Sequence, residues 1–463
     1  MPWSLRRKGI RGLRRKLPQT EAMSDTINRY KQQFKAMMKS RDGDISSTVE
    51  LRQGAMDCFS ELGFPTTRME AWRETDVSQL AKRDYSFAPI RPLDLSHKDI
   101  AQFLIDPAHV STVVIVDGNY SAELSSIHET ASKAGAIKLF SEIADNEVLK
   151  STVGSLAPFQ KDAFVALNIA FMSDGIFIRV PKNEIIPKPI HILYLTTSHE
   201  KEVMFHLRNF VVLEEGSEAT IIEHYASLDG SSSLTNVVTE MIVGKNAGLR
   251  HVKIQEESDR VDHIATTQAD IQSNGNYTTS TFLVGSRLGR NDLRVRLAGK
   301  GAECSMSGLV LASEEQHLDN HTLIDHEAPY CTSRELFKGI HTDSSRSVFN
   351  GRIVVRKDAQ QTNSEQTNKN LLLSDNAVVN SNPQLEIYAD DVSCSHGSTT
   401  GQLDEDAIFY LRSRGLDVLT AQGLLINGFA NEIIDSVQIG AVNIYLYRLL
   451  SNWLAQMRIN MHG

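Results

Sequence analysis

The chain has little cysteine: four residues among 463, namely Cys58, Cys304, Cys331 and Cys394, with no CxxC pair. Cysteines this sparse and this far apart exclude a disulfide framework and indicate a reducing compartment. No apolar run reaches the roughly 18–20 residues that cross a bilayer, so membrane insertion is not expected. We therefore predict a cytoplasmic protein.

The sequence also lacks the motifs of the common catalytic classes. It has no GxxxxGK[ST] phosphate loop, no GxGxxG after a strand, and neither GxSxG nor HExxH. A chain without the phosphate loop should not hydrolyse nucleotides alone, and Rossmann, serine hydrolase and zincin sites are not expected either. These absences favour a non-catalytic protein.

Charge is distributed unevenly along a chain of ordinary globular composition, with 41% hydrophobic and 23% charged residues and a net charge of −9. This composition leaves room for two or three domains. Residues 1–22 hold seven basic residues and one acid, whereas the 41 basic and 56 acidic residues elsewhere give −15. An acidic body disfavours nucleic-acid binding.

The basic head could be a targeting segment or a membrane-surface helix, but it has no apolar stretch like that of a secretory signal. We expect residues 1–22 to be a disordered basic extension, or to follow from an upstream start codon with the true start at Met23.

The middle of the chain, from about Phe164 to Tyr388, alternates β-branched runs with turn residues, as in Gly175–Val180 and Ile190–Thr196. Many short strands with regular turn signals indicate one large β architecture. More than 200 residues is long for a sandwich, so a barrel, a propeller and a β-solenoid are the candidates. No strict short repeat is present, so any solenoid is irregular.

Helical patterns lie on both sides of this region. Residues 23 to about 80 have helical periodicity. After Gly401 we predict three helices, at 404–414, from about 418 to 428 and from about 431 to 461. The last helix has more apolar surface than a lone terminal helix needs, which leaves packing onto the β body and a partner interface as alternatives.

A cysteine and a histidine, Cys394 and His396, stand two residues apart near the end of an alternating run. In a strand, residues i and i+2 point to the same side. Thiolate and imidazole together suit iron, zinc or an iron–sulfur cluster. A structural metal usually takes about four ligands, so further ligands must come from elsewhere, for example from another chain. The alternative is a pair of turn residues that caps the β body.

A second polar cluster contains His317, Asp319 and His321, followed by His326 and Cys331. On a strand the first three share one face, which is ligand-like spacing. A stacked polar ladder or an interface strand gives the same pattern without metal. A carbohydrate-active β-helix enzyme would need paired acids. The obvious pair, Asp390 and Asp391, is adjacent, so the two side chains would point in opposite directions.

Nine segments form a recognisable set: Phe64–Asp76, Asp174–Pro181, Asp325–His326, Thr332–Gly339, Glu365–Asp375, Pro383–Asp391, Cys394–Gly397, Leu411–Gly415 and Ile426–Phe429. Together they resemble the SufB/SufD family of the SUF iron–sulfur cluster assembly system, and the match covers about residues 23–463. Gly397 stands where SufB-like chains tend to carry glutamate, which favours the SufD branch.

The resemblance implies a mainly β fold with a right-handed parallel β-helix (solenoid) core flanked by helical domains. The expected divisions are an N-terminal mainly helical domain at 23–160, the β-helix core at 161–392 and a C-terminal helical domain at 393–463.

The resemblance also implies a scaffold subunit, not an enzyme, of a bacterial cytoplasmic SufBCD complex. The subunit pairs with SufB through a β-helix edge, and the SufC ATPase docks on its C-terminal helices. A transient iron–sulfur cluster forms at the SufB–SufD interface, where His396 is the expected ligand and Cys394 a second one. The expected SufC contacts are Phe409, Leu411, Leu424, Leu425 and Phe429.

The sequence is also compatible with three alternatives. The chain could be a purely structural partner of SufB with no cluster ligand of its own. It could form a homodimer when alone. A reduced flavin is also left open, although no sequence feature supports one.

Overall fold

The computed structural model describes residues 21–40, 46–87, 95–129, 131, 136–143, 153–172, 175–228 and 230–460. Nearly all of the predicted basic extension, residues 1–22, lies outside the described residues.

The N-terminal part mixes helices with short strands. Its helices are α1 (Glu21–Ser40), α2 (Ser46–Leu62), α3 (Ser78–Lys82), α4 (His97–Ile100), α5 (Phe140–Ile143) and α6 (Ala163–Phe171), with 3-10 turns at Glu70–Trp72 and Ala101–Phe103. Its strands are β1 (Ser86–Phe87), β2 (Ser111–Val116), β3 (Asn119–Ser126) and β4 (Ile137–Leu139).

Sixteen further strands and three helices complete the described chain. The strands are β5 (Gly175–Val180), β6 (Ile190–Thr196), β7 (Val203–Leu213), β8 (Glu218–Ser227), β9 (Ser233–Val243), β10 (Gly248–Glu256), β11 (Asp262–Ile271), β12 (Asn276–Leu283), β13 (Leu288–Leu297), β14 (Glu303–Ala312), β15 (His317–His326), β16 (Thr332–His341), β17 (Arg346–Val355), β18 (Thr362–Leu372), β19 (Val378–Ile387) and β20 (Val392–Gly401). The helices are α7 (Glu405–Ser413), α8 (Val418–Ser436) and α9 (Gly440–Asn460).

The strands from β5 onward coil into a two-sheet parallel solenoid. Odd-numbered strands from β5 to β19 form one sheet and even-numbered strands from β6 to β20 form the other, and from β7 onward each strand pairs with the strand two places earlier. Paired positions on successive turns lie 27 residues apart at Ser280 and Ser307 and 31 apart at Ser333 and Ser364. The predicted mainly β solenoid with helices at both ends is confirmed.

One corner of the solenoid has the same backbone conformation on successive turns but is occupied by different residue types, so it gives no strict sequence repeat. On successive turns one corner residue adopts left-handed backbone and donates its N–H to a carbonyl of the next turn. Asparagine and glycine suit that conformation, but a tyrosine and a glutamine adopt it as well. The corner residues are Asn183, Gly216, Asn246, Asn274, Gly301, Tyr330 and Gln361.

Strands also lie beyond the predicted limits of the core. Strand β2 extends the second sheet by pairing with β6, inside the segment expected to be mainly helical. Strand β20 lies in the segment expected to be the C-terminal helical domain. This strand is rich in serine, threonine and glycine and is largely exposed. It therefore lacks the apolar alternation from which a strand is predicted.

Helices α8 and α9 pack their apolar faces on the outside of the second sheet. Ile426 and Ile433 of α8 and Leu446 of α9 share a buried cluster with Val252 and Phe282 of the strands. Packing onto the β body therefore accounts for most of the apolar surface of the last helix. Among the described helices, none is both long and apolar enough to cross a membrane.

Candidate functional site

The last turn of the solenoid is open. Strand β19 pairs with β17 and strand β20 pairs with β18, and within the described part of the chain neither has a neighbour on its other side. Both strands are more exposed than the strands beneath them. The end therefore presents two unpaired strand edges and an uncovered interior face.

Cys394 and His396 lie on this open turn. In the parallel register Cys394 is paired with Ser364 and His396 with Gln366. Ser364 and Gln366 are buried, whereas the intervening Glu365 is exposed, so the first two point into the solenoid. Cys394 and His396 therefore continue two interior columns and share one side of their strand.

The two side chains differ in their surroundings. Cys394 is half-buried against the apolar core, and this burial raises the pKa of its thiol above the ordinary value. A thiol in that setting becomes a thiolate ligand when a bound cation favours its ionised form. His396 is exposed, and none of the described residues hydrogen-bonds to it. Its imidazole is therefore free to bind a species that approaches the open end.

Polar groups line the columns beneath the pair. Below Cys394, the Oγ atoms of Ser364 and Ser333 are 2.7 Å apart, and Ser333 lies 2.9 Å from Nε2 of His326. Below His396, Nε2 of Gln366 donates to Oε2 of Glu335 over 2.6 Å. Hydrogen-bonded polar side chains therefore lie in the interior directly beneath Cys394 and His396.

No group of three or more histidine, cysteine, aspartate or glutamate side chains in the described ranges could hold a metal ion. Cys394 and His396 thus form an incomplete ligand set, because a closed site takes about four ligands. Their chemistry suits iron or an iron–sulfur cluster only if other ligands are supplied from outside these residues.

The second polar cluster predicted from the sequence holds the N-terminal region on the first sheet. Asp319 is buried, lies 2.8 Å from Nη1 of Arg290 and accepts a 2.5 Å hydrogen bond from the Thr75 hydroxyl. His317 contacts the same hydroxyl at 3.0 Å, and Nε2 of His321 is 3.1 Å from Asp319. The three side chains do share one strand face, but they contact protein groups, so the cluster matches the alternative of an interface strand without metal.

The predicted SufC contacts are unequally accessible. Phe409 is 73% exposed and Leu424 is 50% exposed. Leu411 and Leu425 are partly buried. Phe409 lies in a groove between α7 and α8 that is also lined by Arg412, Leu416 and Val418. These placements leave Phe409 and Leu424 as the accessible members of the set.

Phe429, the remaining predicted contact, is partly buried and packs against the cluster between α8 and the second sheet. Nζ of Lys338 lies 4.3 Å from the centroid of its ring and donates to its backbone carbonyl over 2.7 Å. Lys338 also pairs with Glu432 of α8 at 2.5 Å. Phe429 therefore has a role within the chain.

Sequence reasoning did not identify Glu335, which is fully buried on β16. Burial raises its pKa to about 7. Strand alternation could have identified this residue, because Ser333, Glu335 and Phe337 lie on the same side of β16. Both neighbours are buried, so a carboxylate at that position faces the interior.

Comparison with known proteins agrees with these observations. Residues 194–429 match the family model described as SUF system FeS cluster assembly, SufBD core domain, and residues 22–192 match the SufBD protein N-terminal region. A Synechocystis protein named as an iron-sulfur cluster assembly SufBD family protein is 32% identical over 95% of this chain and 97% of its own length.

Two further relatives are similar over less of the chain. Iron-sulfur cluster assembly protein SufD of Escherichia coli is 31% identical over 81% of this chain and 86% of its own length. Protein ABCI7, chloroplastic, of Arabidopsis thaliana is 36% identical over 59% of each chain. With the two family models together covering nearly all of residues 22–429, the chain belongs to the SufBD family of SUF-system iron–sulfur cluster assembly proteins.

Proposed function

We propose that this chain is a SufD-type scaffold subunit of a cytoplasmic SufBCD complex. In this proposal it pairs with SufB through the open end of the solenoid, and the two subunits together hold a nascent iron–sulfur cluster. The observation that supports this most is the position of Cys394 and His396 on the uncovered interior side of the last turn. The cluster is cargo here and leaves when assembly is complete.

The open end suits a partner that is itself a sheet. Strands β19 and β20 each offer a row of backbone N–H and C=O groups without a neighbouring strand in the described chain. A second chain can satisfy these groups by adding its own strands. In the proposed pairing the partner's ligands would approach His396 and Cys394.

The chemistry of the pair fits a cargo site. A permanent site holds its metal with several ligands, whereas a product that must leave needs few exchangeable ones. His396 would supply a neutral imidazole nitrogen, which protonation releases. Cys394 would supply a thiolate once the bound cluster offsets the cost of ionising a half-buried thiol.

SufC would dock on α7 and the first half of α8, where Phe409 and Leu424 are exposed. Nucleotide-driven movement of SufC would then displace α8. Lys338 connects α8 to β16 of the solenoid, which gives such a movement a route toward the open end.

A second candidate is a purely structural partner of SufB without a cluster ligand of its own. The raised pKa of Cys394 favours this candidate, because a neutral thiol binds metal poorly.

Complementation of a strain that depends on the SUF system separates the two candidates. If the scaffold proposal is right, His396→Ala should abolish growth under iron limitation. The control is His109→Ala, at an exposed histidine remote from the open end, and cells with this variant should grow normally. Normal growth with His396→Ala at wild-type protein level would favour the structural partner.

A further inference from the structure

Gln366 is a buried interior residue directly beneath His396, and the proposed function gives it no role. It is 1% exposed and lies on β18, paired with His396 of β20 on one side and with Glu335 of β16 on the other. Neighbouring strands are about 4.8 Å apart, so a ring and an amide on successive turns are within reach of each other.

The amide of Gln366 has a defined orientation. When Glu335 is ionised its carboxylate only accepts hydrogen bonds, so the 2.6 Å contact with Oε2 of Glu335 then places the NH2 group of Gln366 toward β16. Its carbonyl oxygen, Oε1, then faces away from Glu335, is buried and has no hydrogen-bond partner among the described residues. A buried acceptor without a donor is costly and rare in native proteins.

The opposite sheet makes room for this amide. Gly351 of β17 faces Gln366, and a Cβ atom at Gly351 would lie 2.4 Å from Nε2 of Gln366. Any other residue at Gly351 would therefore push the amide away from its position. The space reserved for the amide is a second observation, independent of the orphaned oxygen.

We propose that Gln366 is a positioning residue for His396, with its Oε1 accepting the N–H of one imidazole nitrogen. This inference rests on the proposed function, in which His396 binds the nascent cluster. Glu335 holds the amide in the required orientation. The second imidazole nitrogen is then left with its lone pair toward the open end, which is the tautomer that can bind iron. Histidine ligands in metal sites commonly donate their other ring N–H to a protein acceptor in this way.

Nitrogen-15 NMR of the imidazole rings in the full-length apo chain tests this inference without any cluster. The His396 signals are assigned by their loss in His396→Ala. The measurement is made at about pH 8.5, so that Glu335, whose pKa burial raises to about 7, is ionised. We expect one tautomer of His396 to exceed the other, and the ratio to fall about tenfold in Gln366→Leu.

Three further variants make the test specific. Ser364→Ala, at the equivalent place beneath Cys394, should leave the tautomer ratio unchanged. Glu335→Gln should lower the ratio, because a second amide can present either its oxygen or its NH2 group to Gln366. The exchange Glu335→Gln with Gln366→Glu should restore it, because the carboxylate then lies beneath His396 and the amide below that.

An unchanged ratio in folded Gln366→Leu would overturn the inference. If Gln366→Leu does not fold, the Glu335→Gln variant provides the test. An unchanged His396 tautomer ratio in Glu335→Gln would then overturn the inference. Normal cluster assembly in His396→Ala, by contrast, contradicts the proposed function and does not depend on the tautomer measurement.

Discussion

Lys338 on β16 and Glu432 on α8 form an ion pair, with Nζ and Oε2 2.5 Å apart. Lys338 is 3% exposed and also donates to the carbonyl of Phe429. Glu335, three residues earlier on the same strand, holds Gln366 beneath His396. Strand β16 thus contacts both the helix proposed to bind SufC and the column under the proposed cluster ligand.

Removing the Lys338 contacts should loosen α8. We expect Lys338→Met to lower the free energy of unfolding by about 1–3 kcal/mol, because a charged donor to a carbonyl and to a carboxylate is lost while the aliphatic stem is kept. Urea unfolding measures the change, and hydrogen exchange should rise in the amides of α8. Lys357→Met, at an exposed residue after β17, is the control. Equal stability of the two variants would contradict the role given to Lys338.

Charge on the exposed apolar residues of α7 and α8 should disrupt SufC binding. We expect Phe409→Asp and Leu424→Asp each to weaken SufC retention about tenfold or more, because a carboxylate would be buried in the proposed interface. Ile444→Asp on α9 is the matched control, since Ile444 and Phe409 are both 73% exposed. Co-purification with SufC measures the effect.

Undiminished SufC retention in Phe409→Asp and Leu424→Asp would overturn the docking assignment. Phe429→Asp is not a suitable probe, because Phe429 packs against Lys338 and its loss would disturb the fold.

Acid should weaken the attachment of the N-terminal region through Asp319. Burial alone would raise the pKa of this carboxyl, but Arg290 and His321 outweigh it and lower the pKa to about 2, from 3.8. A lowered pKa in the folded state stabilises the protein above the unfolded pKa, and this stability is lost as the pH falls from about 4 to about 2.

Asp319→Asn should therefore be less stable than wild type by about 3 kcal/mol near pH 6, because Arg290 loses a buried partner. The gap should shrink by about 2 kcal/mol between about pH 4 and pH 2. Urea unfolding as a function of pH measures both quantities, with Asp375→Asn at an exposed site as the control. A gap that does not depend on pH would contradict the assigned pKa.

The sequence allowed the β texture of the core to be predicted, because β-branched alternation is local. It left barrel, propeller and solenoid open, because the pairing partners lie 26 to 33 residues apart and the corner accepts several residue types. The resemblance to a family resolved that choice.

Other features depend on contacts that no local pattern contains. The packing of Phe429 depends on its contact with Lys338, which is 91 residues away in the chain. The helix expected to stop near Gly428 continues to Ser436, because its apolar face packs on the second sheet on both sides of that glycine. The spacing of Cys394 and His396 did predict their shared side, while the open end that exposes them follows from strand order.

The most direct test of the central claim is the iron and sulfide content of the complex after anaerobic reconstitution. This chain is co-purified with SufB and SufC as wild type, His396→Ala or Ser395→Ala, the last at an exposed neighbour on the same strand. We predict that His396→Ala forms the complex but holds about tenfold less cluster, whereas Ser395→Ala matches wild type. Wild-type cluster content in the His396→Ala complex would contradict the claim that the open end of this solenoid supplies a ligand.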